Sequence, residues 1–130
     1  VIILKLGGSL LTRPKLLQQW LVLASEQGQG QLIIVPGGGV FAEQVRRLQT
    51  TLSYDDRTAH YMALLAMQQV ALLFKGWVQE LMIVSNMADI IPVLKQQQVV
   101  VWSPLAEELD THCIPASWDI SSDSLAAWLA

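Results

Sequence analysis

Two glycine-rich turns carry the residues best suited to chemistry. Lys5-Leu6-Gly7-Gly8-Ser9 comes directly after the apolar run Val1-Ile2-Ile3-Leu4, and Pro36-Gly37-Gly38-Gly39 directly after Leu32-Ile33-Ile34-Val35. Glycines at such positions bring backbone N–H groups close to a ligand with no Cβ in the way, and they accept φ > 0. The helix expected after each turn would direct its positive end at the same place. Lys5 adds a mobile full charge at the mouth of the first turn. This combination suits a phosphate group. A dedicated metal site is not suggested, because no His/Cys/carboxylate set has ligand spacing. His112 and Cys113 are adjacent in sequence and read as incidental.

The elements that must position these turns can be read from apolar periodicity. Val1–Leu4 and Leu32–Val35 read as short strands buried on both faces. Between them, Leu16, Leu17, Trp20, Leu21 and Ala24 recur at helical spacing, with Pro14 suited to the first turn, Thr12 a candidate cap, and Gly28 and Gly30 as the stop. Strand, helix, strand makes a βαβ unit, so the two strands should be parallel neighbours with their turns side by side. Open α/β sheets bind ligands at that edge. Further along, a helix is expected from Val40 to about Leu48 with Phe41, Val45 and Leu48 inward, then a loop around residues 50–53. Asp55 and Asp56 open a long helix ended by Gly76. Strands are expected at Leu81–Val84 and Val99–Trp102, with a helical turn at Pro104–Leu109. A last helix is capped by Ser121 or Ser122, with Leu125, Trp128 and Leu129 on its apolar face.

A chain of 130 residues is one domain, long enough for one real core. Apolar residues reach 52% and charged residues only 15%, against about 45–50% and about 25% in typical domains. Much of the chain is therefore interior, or one face is covered by another chain. The face of Met62, Met67 and Leu73 reads first as core and second as a dimer surface. The tryptophans read as packing residues, and His60 as a surface or interface residue before a substrate contact. A net charge of −3 with scattered basic residues argues against nucleic-acid binding. Cys113 is the lone cysteine, the chain opens without a basic-then-apolar leader, and no apolar run reaches the ~18–20 residues that span a bilayer. These features fit a cytoplasmic protein.

The order Lys5-Leu6-Gly7-Gly8-Ser9, Pro36-Gly37-Gly38-Gly39, Trp118-Asp119-Ile120-Ser121-Ser122-Asp123 resembles the amino acid kinase superfamily, whose members include acetylglutamate, glutamate, aspartate, uridylate and isopentenyl phosphate kinases. The resemblance runs from one end of the chain to the other. Asp55-Asp56…Ala59-His60 and the Trp-Asp-Ile-Ser-Ser-Asp-Ser wording look most like a subgroup of one-carbon metabolism that includes the kinase of methanofuran biosynthesis. The resemblance implies a three-layer α/β/α sandwich with a mainly parallel sheet, the N-terminal part of an amino acid kinase-like fold. It also implies ATP as phosphoryl donor, Mg2+ held mainly through the nucleotide, a small acid, phosphate or alcohol as acceptor, and a homodimer. The superfamily chain normally continues past the aspartate motif into the part that holds the nucleoside, so residues 1–130 read as a single domain truncated after that motif.

By the same resemblance, Lys5 touches the phosphoryl oxygens and Gly7, Gly8 and Ser9 give backbone contacts to them. Gly37, Gly38 and Gly39 shape the acceptor side, Asp123 holds the catalytic lysine in place, and Asp119 faces the acceptor. Each has a plainer alternative. Lys5 could be a solvated strand-end lysine, the second glycine run a tight strand-to-helix connection, Asp123 a carboxylate that offsets a helix dipole, and Asp119 a turn residue. The whole chain likewise has a rival reading, a non-catalytic dimeric kinase remnant that binds a ligand or partner. A dinucleotide-binding oxidoreductase fits less well, lacking a Gly-x-Gly-x-x-Gly turn and a ribose-binding acid after the second strand.

Overall fold

The structure, a computed structural model, describes residues 1–114, 116 and 122–130, apart from the side chains of Ser122 and Asp123. Among the described residues four strands, β1 (Ile2–Leu6), β2 (Leu32–Pro36), β3 (Met82–Val84) and β4 (Val100–Trp102), form one sheet in the order β1-β2-β4-β3. Every pairing is parallel. The inner strands β2 and β4 are buried at each residue, which is why they read as continuous apolar runs rather than alternating ones.

The helices that cover the sheet are α1 (Pro14–Gln27), α2 (Gly39–Leu52), α3 (Asp56–Trp77), α4 (Ile90–Lys95), α5 (Ala106–Thr111) and α6 (Ser122–Leu129). The core has two parts, one on each sheet face. Leu17, Leu21 and Ala24 of α1 and Val70, Ala71 and Phe74 of α3 pack on Leu6, Ile34 and Val101. On the other face, Ile90 and Leu94 of α4, Leu109 of α5, and Leu125 and Ala126 of α6 pack on Ile33, Val35, Val100 and Trp102. This is the expected three-layer α/β/α arrangement. Its layering comes from the strand order. The crossovers β1–β2 and β2–β3 run in one direction across the sheet and put α1 and α3 on one face. The β3–β4 crossover reverses direction, and a right-handed connection then places α4 on the opposite face. Leu64 and Met67 of α3 join the second cluster, so its N-terminal half reaches round the carboxyl ends of the strands.

Several local expectations change. Thr12 does not cap α1. Its hydroxyl donates to the Ser9 carbonyl at 2.7 Å, closing a 3-10 turn over Gly8–Thr12, and Arg13 is the N-cap. Helix α2 continues through the expected loop to Leu52, because the Thr50 hydroxyl bonds back to the Arg47 carbonyl at 2.9 Å instead of competing for the next turn. Ser53 then ends it in the left-handed region, at φ 57°. Burial also departs from the pattern. Leu48 and Trp20 are exposed, whereas His60 is only 3% exposed.

Gly76 does not end α3, which runs to Trp77, with Val78 N–H still bonded to the Phe74 carbonyl. No described atom lies within 4 Å of the place where its Cβ would sit. Gly76→Ala should therefore stabilise the fold by about 0.5–1 kcal/mol through lost freedom of the unfolded chain. The expected reading is a Tm higher by roughly a few degrees; a lower Tm would count against the space and backbone described for this position.

Candidate functional site

The β1–β2 register pairs Lys5 with Val35 and Leu6 with Pro36, so both glycine turns leave the sheet at the same height. They touch through their backbones. A Cβ on Gly8 would lie 2.5 Å from Gly39 Cα and 2.6 Å from Gly39 N, and one on Gly37 would lie 2.8 Å from Gly8 N. Gly39 additionally has φ +58°, and a Cβ there would sit 2.2 Å from Leu11 Cδ1. A tight connection is thus part of the reason for the second glycine run. The Gly37 N–H is committed to the Leu6 carbonyl at 2.9 Å, so Gly37 contributes shape rather than a donor. Gly38 N-caps α2, and a Cβ on it would run into Ala42 Cβ at 2.3 Å.

Strand alternation puts Lys5 on the same face as Ile3, the face covered by α6. Its half-buried side chain reaches along the turn, placing Nζ 3.6 Å from where a Gly7 Cβ would be. Ser9 Oγ lies 3.9 Å from the same point. Ammonium and hydroxyl therefore approach Gly7 together. The first turn departs from expectation on its C-terminal side. The 3-10 turn intervenes, so α1 starts only at Pro14, whereas α2 starts at Gly39 within the second turn. Of the two turns, only the second places an α-helix N-terminus at the strand ends.

Asp123 is the second residue of α6, which packs on β1 and β2, on the sheet face that carries Lys5. Its side chain, and Asp119 altogether, lie outside the described residues. Beyond the glycine turns, β2 sends its chain to one face through α2 and β4 sends its chain to the other through α5. Adjacent strands with opposite exits leave a crevice at their carboxyl ends, the usual ligand position of open α/β sheets.

The far rim is built by the N-terminal half of α3. Asp55 caps α3, accepting from Thr58 N–H at 2.7 Å. Hydrogen bonds from Thr58, side chain first and backbone second, hold the Asp55 carboxyl below its ordinary value. That interaction favours the folded chain above the carboxyl's unfolded pKa and is lost as pH falls through the lowered value. The Tyr61 hydroxyl donates to Asp110 Oδ2 at 3.0 Å, tying α3 to α5, while the Arg57 guanidinium sits 5.4 Å from the Tyr61 ring centroid. Partial burial, and then the bond to Asp110, push the Tyr61 hydroxyl above its ordinary pKa. His60 lies next to it, edge-on to the Tyr61 ring at 5.8 Å. Sequence reading misses Arg57, Tyr61 and Asp110. The i,i+4 spacing of Arg57 and Tyr61 is the available signal, but their partner is 49 residues from Tyr61 in sequence.

Among the described residues no group of three or more His, Cys, Asp or Glu side chains could hold a metal, and no helix is long and apolar enough to cross a membrane. The arrangement offers a cationic side chain, a hydroxyl and a bare backbone surface at one sheet edge. That is a set for binding oxyanions rather than for general base chemistry.

A family model described as the Amino acid kinase family matches residues 1–130, the whole chain. The chain belongs to the amino acid kinase family. Kinase chemistry, with ATP and Mg2+, is general to that family. Among curated proteins, the chain is 26% identical over 129 residues to [5-(aminomethyl)furan-3-yl]methyl phosphate kinase of Methanocaldococcus jannaschii, covering 98% of this chain and 58% of the relative. Among solved structures, it is similar to uridylate kinase from Archaeoglobus fulgidus, with a TM-score of 0.74 and 20% identity, over 98% of this chain and 56% of that one. The latter likeness establishes the fold. The chain spans somewhat over half the length of both.

Proposed function

We propose that residues 1–130 form the acceptor-binding, phosphate-cradling half of an ATP-dependent small-molecule kinase. The observation that carries this reading is the backbone contact between the two glycine turns, with the Lys5 ammonium beside the first. A donor phosphate on the Gly7-Gly8-Ser9 side and an acceptor on the Gly37-Gly38-Gly39 side would then be held within reach of each other. Phosphoryl transfer asks mainly for such positioning and for charge neutralisation. An acceptor oxygen forms a bond to the γ-phosphorus, the bond to the β,γ-bridging oxygen breaks, and ADP leaves. Lys5 and the turn amides stabilise the charge on the moving group, and Asp123 of α6 orients Lys5. Asp119, outside the described residues, is assigned to the acceptor side by the resemblance alone. Mg2+, if bound, would be held largely by the nucleotide phosphates and would supply further charge neutralisation there.

The acceptor is a small acid, phosphate or alcohol, and the M. jannaschii relative supports a phosphate monoester of an aromatic alcohol within that class. A role in one-carbon metabolism, and a place in the cytoplasm, rest on the motif wording and composition of the sequence alone. Exposed Leu65 and Leu72, seven residues apart on α3, support a homodimer that buries this outer face. The decisive experiment is a screen of candidate acceptors for ATP turnover, using the longest reading frame that contains residues 1–130. Acceptor-dependent ADP release is expected. Ligand binding with no turnover on any acceptor would instead favour the non-catalytic remnant.

A further inference from the structure

We propose that Trp128 is a positioning residue of the phosphoryl-transfer site, acting by fixing how α6 sits on the sheet; this rests on the kinase reading above. Helix α6 has eight residues, too few to be helical in water on their own, so tertiary anchors set its place. Leu125 and Ala126 are buried beneath its middle among Ile33 and Val35. Leu129, one turn further on, packs partly buried against the same cluster, so these residues form a single stripe of contact about which the helix is free to roll.

Trp128, itself 36% exposed, adds a contact to the side of that stripe. Its ring stacks on that of Trp102, with centroids 6.2 Å apart and planes at 28°. It also meets His112, just beyond α5, at 5.4 Å and 58°. Trp102 is fully buried, and its Nε1–H has no hydrogen-bond partner among the described residues, so packing and ring contacts orient the indole. The column Trp102–Trp128–His112 therefore joins the central strand β4, the last turn of α6 and the end of α5. With this lateral anchor the roll is blocked. The N-terminal end of α6 carries Asp123, and the helix lies on β1, which carries Lys5. A shift at Trp128 becomes a misplacement of Asp123, and small misplacements far from the chemistry are costly in transfer reactions.

The test uses Trp128→Ala and Trp128→Phe in the longest reading frame containing this chain, assayed with ATP and the acceptor found by screening. The expected result is a kcat lower by about 10- to 100-fold in Trp128→Ala, with both Michaelis constants changed less than about threefold, and recovery of most of kcat in Trp128→Phe. Residual turnover in Trp128→Ala within twofold of wild type, or a loss that phenylalanine fails to restore, would overturn the proposal. If the alanine variant does not fold, Trp128→Leu keeps the apolar bulk without the stack and is expected to show the same loss. Amide exchange across residues 124–129 gives a readout separate from activity: protection should fall in the alanine variant and not in β4. A wild-type protein inactive on every acceptor would defeat the kinase reading. In that case, unchanged exchange across α6 would defeat the anchoring role on its own.

Discussion

Lys5→Met, in the longest reading frame that contains residues 1–130, is expected to leave a folded protein whose turnover with ATP falls by several orders of magnitude, about 1,000-fold or more. Methionine keeps the apolar stem of lysine, so the packing of β1 beside Ile3 and α6 is preserved. The loss is confined to the full charge beside Gly7, 3.6 Å from the place where a side chain would begin. Removing one preorganised donor from a transferring group costs roughly 100- to 1,000-fold, and a cation acting directly on a phosphoryl group contributes roughly 1,000- to 100,000-fold. The effect should fall on kcat more than on the Michaelis constant for the acceptor. Turnover within tenfold of wild type, in a variant with an unchanged Tm, would refute the role assigned to Lys5. Lys5→Arg separates charge from geometry: a wider guanidinium in the same place should recover little, because the approach to Gly7 leaves it no equivalent fit.

The second large effect is expected at Gly8. A single methyl group there would meet the backbone of Gly39 at 2.5 Å and 2.6 Å. Backbone atoms cannot rotate aside as a side-chain tip can, so the two turns must separate. Gly8→Ala is expected to cost about 2–4 kcal/mol of stability by overpacking. Even where the fold survives, turnover should fall by about 100-fold, since the donor and acceptor sides proposed for the two turns would be displaced relative to each other. Denaturant unfolding alongside the ATP assay checks both statements. The same change at Gly76 is expected to stabilise, so the pair forms an internal control: identical chemistry, opposite sign, decided by what lies within 4 Å. A Gly8→Ala protein as stable and active as wild type would mean that the turns are not in contact.

Much of this architecture is legible in the residues alone. The inner strands announce themselves because burial on both faces leaves no room for a polar alternation, and the glycines that end β1 and β2 mark where the backbone must pass close to something. The identity of that neighbour is not legible. The contact of Gly8 with Gly39 is set by the register of two strands, and no local pattern encodes it. The 3-10 turn over Gly8–Thr12 has no periodicity to read, so only the start of α1 near Pro14 is legible, and not the element that separates it from β1. Gly76 reads as a stop on composition alone, but one glycine in an open last turn costs less than the Phe74 and Val78 packing gives. His60 reads as a surface residue because its burial depends on how α3 meets the rest of the fold. Of the site, Lys5 and the two turns converge as the residues suggest. Asp123 belongs to a helix on the sheet face that carries Lys5, but its side chain, like the whole of Asp119, falls outside the described residues.

Connecting segments are ordinarily where related proteins gain and lose residues, since a surface loop can lengthen without disturbing what it joins. The two glycine turns do not have that liberty. Each is the wall against which the other is built, so an insertion in either would have to be answered by a change in its neighbour. Diversity of acceptors within such a scaffold must then come from elsewhere. The exposed bend at Ser53–Asp55 between α2 and α3, and the Arg57, Tyr61 and Asp110 rim beside it, can vary in length and chemistry without moving the turns themselves.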